Sequence, residues 1–219
     1  MKNIILDTDI GDDVDDALAL GYLGKCQKDI KLLGITTVYL NTYQRSLLAC
    51  KVLETLGMHD VPVIAGIGKP MAMQQNIFHK MLKDHKPRQM EVLNERTTSI
   101  TPENIEVTEF LKETINRCPK NFTLLTIGAL TNIGALLKRY PNIGKNIKEI
   151  VMMFGCITAT YPEWNVLCDP EAAEIVFNSE VPIRMIGLDV TLNCVMSEKD
   201  VNKLKKSKMK KILFSLSCL

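Results

Sequence analysis

The run Asn3-Ile4-Ile5-Leu6-Asp7-Thr8-Asp9-Ile10-Gly11-Asp12-Asp13-Val14-Asp15-Asp16-Ala17-Leu18 passes from an apolar stretch into an acidic one. Residues 3–6 have the brevity and apolar character of a buried strand, and residues 17–23 read as a helix opened by the acidic turn. Strand, turn and helix in succession form the unit of an α/β fold, and the rest of the chain repeats it. Apolar runs predict further strands over residues 32–40, 61–67, 122–127, 150–154 and 182–190. Helical spacing predicts helices over 42–56, stopped by Gly57; from an N-cap at Thr101 with Pro102 next, to about 118; over 130–140; from Asp169 with Pro170 at the first position, to 178; and over 197–206. Residues 71–99 lack a clear period and read as a long loop with one short helix. Such alternation implies a mainly parallel sheet covered by helices on both faces, in one domain spanning 1–219. Ligands of such sheets bind beyond the carboxyl ends of the strands. That brings Asp7 to Asp16, Asn41, Thr131 and the loop after Phe154 towards one edge.

The 219 residues carry a net charge of +2, too mild to indicate a nucleic-acid partner. Hydrophobic residues make up 46% and charged residues 24%, a globular balance with no run long enough to span a bilayer. Only residues 199–211 are markedly basic, as a solvated helix face would be. Seven cysteines occur without metal-ligand spacing. With the first strand following directly on Met1-Lys2, they imply free thiols and a cytoplasmic setting. Cys168 reads as a buried bystander.

Asp7, Asp9, Asp12, Asp13, Asp15 and Asp16 repel one another unless a cation shares them. The helix dipole accounts for acids at Asp15 and Asp16 but not for Asp7 and Asp9 at a strand end. Carboxylates with no His or Cys nearby suit a hard ion, Ca²⁺ or Mg²⁺. An EF-hand is excluded, because counting from Asp7 its sixth and twelfth positions are Asp12 and Leu18. A haloacid dehalogenase-type phosphatase, which opens on Asp-x-Asp-x-Thr, stays as an alternative, although Gly11 stands at the fifth position.

Leu6-Asp7-Thr8-Asp9-Ile10-Gly11 with Asp15-Asp16-Ala17-Leu18 resembles the signature of the nucleoside hydrolase family. Similar segments follow in family order. They are Gly34-Ile35-Thr36-Thr37-Val38 leading to Asn41, Val61-Pro62-Val63 with Ala65-Gly66, and Gly128-Ala129-Leu130-Thr131-Asn132. Met153-Phe154-Gly155, Glu163-Trp164-Asn165, Asp169-Pro170-Glu171-Ala172-Ala173 and Gly187-Leu188-Asp189-Val190-Thr191 complete the set. The resemblance implies hydrolysis of the N-glycosidic bond of a ribonucleoside, one bound Ca²⁺ and a homo-oligomer. It implies Asp9 as metal ligand and base, with Asp7 beside it and Asn41 in the catalytic set. Asp16 and the Thr131 carbonyl would be further metal ligands, and Asp15, Asn41, Glu163 and Asn165 ribose partners. Each also has a plain reading: Asn41 as cap of the 42–56 helix, Thr131 as a helix start, Glu163 as an exposed loop acid.

The sequence departs from the family pattern in several places. The acidic turn is two residues longer than the common form, so Asp12-Asp13 compete with Asp15-Asp16 for the metal; the second pair precedes Ala17-Leu18 as in the family. His79 is what remains of a His-Gly-Glu-Asp-Gly run. The family's C-terminal His-Asp pair has no counterpart after Thr191, where Asp200 is the one Asp and no His occurs. The expectation is a domain incomplete at its C-terminus, with reduced turnover or, alternatively, a non-catalytic ribose- and calcium-binding remnant.

Overall fold

The computed structural model describes residues 1–72, 77–82, 84–94, 98–158 and 161–206. In chain order the elements are β1 (Lys2–Thr8), α1 (Asp15–Lys25), β2 (Ile30–Thr37), α2 (Thr42–Leu56), β3 (Val63–Ala65) and α3 (Ile77–Leu82). A 3₁₀ turn (Arg88–Met90), α4 (Glu91–Asn94), α5 (Val107–Arg117), β4 (Thr123–Thr126), α6 (Thr131–Arg139) and a second 3₁₀ turn (Pro141–Asn146) follow. Then come β5 (Glu149–Met153), α7 (Trp164–Cys168), α8 (Pro170–Phe177), β6 (Ile183–Ile186), α9 (Leu188–Thr191) and α10 (Glu198–Lys206). The strands form one sheet in the order β3-β2-β1-β4-β5-β6, every pair parallel.

Strand alternation divides the core. Ile4 and Leu6 of β1 face one side with Ala17, Leu20 and Leu23 of α1 and Val52 and Leu53 of α2. Ile5 faces the other with Leu111 of α5, Ile133 of α6 and Val176 of α8. Asp7 continues the Ile5 side and Thr8 the Leu6 side, so two polar residues leave one strand end towards opposite helical layers. Among the described residues no helix is long and apolar enough to cross a membrane, and the six described cysteines are free thiols, Cys168 buried.

Several boundaries differ from the sequence expectations. Strand β2 stops at Thr37 because Tyr39 and Leu40 turn to φ 68° and 56°. The helix expected from Thr101 begins at Val107, capped by the Glu106 side chain, which accepts from Thr108 N and Glu109 N. Residues before it run extended, with Glu103 N donating to Val63 O at 2.8 Å and Glu103 bridging Ile64 of β3. Strand β6 ends at Ile186 because Leu188 N donates to Gly155 O, which turns residues 188–191 into α9. The 71–99 stretch holds α3, a 3₁₀ turn and α4 rather than one helix. The 42–56 helix stands as expected, and so does the Asp169 cap of α8.

Glu54 ties residues 98–100 to α2. One carboxylate oxygen accepts from Ser99 N and Oγ at 2.8 and 2.7 Å, and the other from Lys51 Nζ at 2.8 Å. The Lys51 and Ser99 bonds hold its pKa down to about 2, from 4.5. A depressed carboxyl pKa adds stability above the unfolded value and loses it as pH falls through the folded one. Glu54→Gln should therefore lower the urea midpoint at pH 7, and the gap to wild type should close between pH 4.5 and about 2. A gap independent of pH would assign the loss to packing.

Candidate functional site

The sheet order reverses direction between β1 and β4, so the chain leaves their carboxyl ends towards opposite faces and opens a crevice between them. Asp7 sits at its floor, fully buried. One carboxylate oxygen accepts from the Thr36 hydroxyl of β2 and from Asn132 Nδ2 of α6, the latter at 2.7 Å. The other oxygen has no hydrogen-bond partner, nor has the Thr126 hydroxyl that stands in register with Asp7 on β4. Asn132 also donates to Thr37 O at 3.0 Å and accepts from Ile67 N at 2.8 Å, joining β1, β2 and the loop after β3. Thr8, pointing the other way, donates to the Asp16 carboxylate of α1.

Asp9 follows on the strand end, with one carboxylate oxygen against Gly128 of the loop after β4. A Cβ on Gly128 would lie 2.7 Å from that oxygen, so only glycine lets the two loops close. Desolvation lifts the Asp7 carboxyl to about 7 and that of Asp9 to about 6, the latter against the pull of Arg45. Desolvation and then the charge of Asp9 raise Asp16 well above the ordinary range. Asp12 moves the other way. Burial would raise it, but the His85 hydrogen bond and the Arg45 charge hold it below its usual value. Its carboxylate lies 2.9 Å from Arg45 Nη2 and 2.7 Å from His85 Nε2. Asp13 and Asp15 are exposed.

The crevice walls come from the other carboxyl-end loops. Tyr39 and Leu40, both left-handed, are held by Tyr39 N to Ile67 O and Leu40 N to Gly68 O. A non-glycine residue in this region costs about 1–2 kcal/mol, a strain concentrated where chains present functional groups. Here it delivers Asn41, whose Oδ1 accepts from Gln44 N at 3.4 Å as the cap of α2. A cavity of about 530 Å³ opens beside it, lined by Asn41, Tyr43, Ile67, Gly68, Lys69 and His79. Thr131 starts α6 and its hydroxyl donates to Asp169 at 2.7 Å. Glu163 is buried rather than the exposed acid of its plain reading. It caps α7 and accepts from Asn165 N at 2.8 Å and Gly155 N at 3.0 Å. Asn165 Nδ2 donates to Ile127 O, just beyond β4, and to Met153 O, at the end of β5. The Trp164 ring meets Tyr39 edge-on at 6.4 Å.

Among the described residues no three His, Cys, Asp or Glu side chains close on one point as a metal cage. The acids at the crevice supply oxygen donors: the charge of Asp9 raises the need of Asp16 for a counter-charge, and an orphaned Asp7 oxygen lies beneath. That chemistry fits a hard divalent cation completed by backbone carbonyls and solvent, and does not fit a soft one. Patterning assigns no role to Arg45, Asn132 or His85. A signal for Arg45 was nonetheless present, since it shares a helical stripe with Leu48, Ala49 and Val52, all buried.

The model of the inosine-uridine preferring nucleoside hydrolases matches residues 4–217. The chain is 33% identical over 208 residues to a pyrimidine-specific ribonucleoside hydrolase of Shewanella oneidensis, covering 92% of this chain and 64% of that protein. It is 31% identical to a probable uridine nucleosidase of Arabidopsis thaliana, covering 95% and 66%. In three dimensions it superposes on a plant nucleoside hydrolase with a TM-score of 0.83 at 26% identity, over 99% of this chain and 70% of that one. For a purine-preferring ribonucleoside hydrolase of Gardnerella vaginalis the TM-score is 0.80 at 29% identity, over 99% and 71%. The chain thus spans about two thirds of the length of these relatives.

Asn132→Ala would strand Ile67 N and take one bond each from Asp7, which keeps that of Thr36, and from Thr37 O, which keeps that of Gly66 N. A buried group left unsatisfied costs about 1–3 kcal/mol, so chemical denaturation should report a loss of about that size. An unchanged midpoint would mean that water replaces the amide without penalty.

Proposed function

This chain belongs to the inosine-uridine preferring nucleoside hydrolase family, and from that premise we propose that it cleaves the N-glycosidic bond of a ribonucleoside to give ribose and free base. Membership sets aside the phosphatase reading of Asp7 and Asp9. The observation that carries the proposal is the division of acids in the turn: Asp12 is bound in an ion pair, while Asp9 and Asp16 face the crevice without one.

In this reading Asp9 takes the proton of a water that attacks the anomeric carbon as the bond to the base nitrogen breaks. Positive charge develops on the sugar ring, and the neighbouring carboxylates stabilise it. Asp9, Asp16 and the Thr131 backbone carbonyl would hold Ca²⁺, which when bound gathers the ribose hydroxyls and makes water more acidic. Asp15, Asn41, Glu163 and Asn165 would orient the ribose, with Asn41 and Glu163 using lone pairs left over from their caps. Relatives are named for both pyrimidine and purine preference, so the proposal extends to ribonucleosides as a class.

The departing base needs a proton. The sequence has three histidines. His59 lies exposed in the turn before β3, at the opposite edge of the sheet, and His85 is paired with Asp12. His79 lines the cavity, but burial and then the nearby Lys69 lower its pKa, which keeps it neutral at pH 7. A substrate whose leaving group needs no proton should therefore turn over best.

With Ca²⁺ present, a p-nitrophenyl riboside should be hydrolysed measurably, and uridine and inosine on the order of 100-fold more slowly. Asp9→Ala should abolish nitrophenolate release, and calorimetry should show its Ca²⁺ uptake lost. Wild-type rates in that variant would sink the reading. The state of the histidines, with His79 neutral and His85 paired with Asp12, favours a second reading, ribose and calcium binding without turnover. Calcium uptake with no product from any of the three substrates would select it.

A further inference from the structure

Arg45 is almost wholly buried, and every direction of its guanidinium is used. Nε donates to Tyr39 O at 2.9 Å. Nη1 donates to the backbone carbonyls of Asp9 and of Ile10, the latter at 3.1 Å, and Nη2 to Asp12 at 2.9 Å. The planar fork thus fastens the loop after β1, which carries Asp9, to the left-handed pair after β2, which delivers Asn41.

The acidic turn is also held from outside. His85 reaches the Asp12 carboxylate, Gln89 N donates to Gly11 O at 2.8 Å, and Gln89 Nε2 to Asp13 O at 2.8 Å. Gly11 sits at φ +134°, where a Cβ would meet Pro87 Cβ at 2.7 Å and Leu48 Cδ1 at 2.9 Å. Residues 85–89 close over the turn, and among the described residues Arg45 is the cation that pairs with it from beneath.

We propose that Arg45 is the positioning residue of this site: its fork fixes the backbone of Asp9 and Ile10 against that of Tyr39, and so presets the geometry in which Asp9 faces a bound cation and Asn41 the sugar. The cation part of this inference rests on the metal reading above. The geometric part does not.

Charge and position predict opposite signs, which makes the idea testable. A buried positive charge near Asp9 opposes cation binding, so removing it should tighten binding on electrostatic grounds alone. Loss of positioning should weaken it, by roughly 10- to 100-fold as for other residues that orient metal ligands. Lysine keeps the charge but cannot form the fork.

The experiment compares wild type, Arg45→Lys and Arg45→Met by Ca²⁺ calorimetry and by hydrogen exchange of the metal-free proteins. The expected result is weaker Ca²⁺ binding in Arg45→Lys, with amides 9–13 exchanging about 10-fold faster or more while amides 4–7 of β1 stay protected. Unchanged affinity in Arg45→Lys, tighter binding in Arg45→Met, or unchanged exchange at 9–13 would each overturn the proposal. If wild type takes up no Ca²⁺, the metal reading fails and exchange alone decides the positioning role. If Arg45→Lys also loses protection in β1, Asp12→Ala replaces it, with faster exchange at 9–13 in support and unchanged exchange against.

Discussion

Carboxylates crowded at the end of one central strand are the constraint around which this structure is arranged. Taking a carboxylate out of water without a partner costs several kcal/mol, comparable with the whole stability of a domain at about 5–15 kcal/mol. Each acid of the turn therefore needs a counterpart before the fold can close. Thr36 of β2 and Asn132 of α6 serve Asp7, Thr8 serves Asp16, and Arg45 of α2 serves Asp12 together with His85. These partners come from both faces of the sheet, so neutralising the turn and docking the helices are one event. A change in any of them acts on stability and on the crevice together.

Topology explains why the crevice lies there. Strands β1 and β4 are neighbours whose following segments depart to opposite faces, leaving a gap that only side chains and loops can fill. Pleat alternation gives that gap two chemically different sides, with Asp7 towards α6 and Thr8 towards α1. Gly128 brings the β4 loop onto the Asp9 carboxylate at a distance that excludes any side chain. Asn165, bonded to Ile127 O just beyond β4 and to Met153 O at the end of β5, fastens the far wall to the sheet.

Much of this was legible in the sequence, and the remainder failed for physical reasons. Asp7 to Asp16 reads as strand, turn and helix because its period changes abruptly, and Gly57 and Asp169 stand where helices must stop and start. Thr101 misled because Thr-Pro-Glu suits a helix start locally, whereas β3 offered an unpaired edge that Glu103 satisfies in extended form. Tertiary hydrogen bonding outweighed propensity there. Residues 38–40 look like strand by composition, yet bonds to Ile67 and Gly68 force them left-handed. Arg45 was visible only as an anomaly on an apolar stripe, since its partners besides Asp12 are backbone carbonyls and leave no trace in spacing. Glu163 resembled a surface acid because nothing local reveals that Gly155, eight residues earlier, would turn its N–H into the same carboxylate.

The stretch from Gly11 to Asp15 raises a last question: how a charged loop beside the site leaves Asp9 and Asp16 on the same crevice. Lengthening a loop is cheap in chain entropy, about 0.6 kcal/mol even for a doubling. The penalty arises instead from the polar groups that such a loop brings. Here each is met away from the crevice. The Asp12 carboxylate turns to Arg45 and His85, Asp13 is solvated with its carbonyl taken by Gln89, and Gly11 O by Gln89 N. Residues 11–13 are held between α2 and residues 85–89, and α1 begins at Asp15. Without the buried cation, Asp12 would compete for the counter-charge that Asp9 and Asp16 need. Asp12 and the buried arginine therefore act as one unit, which turns the charge of the loop away from the crevice.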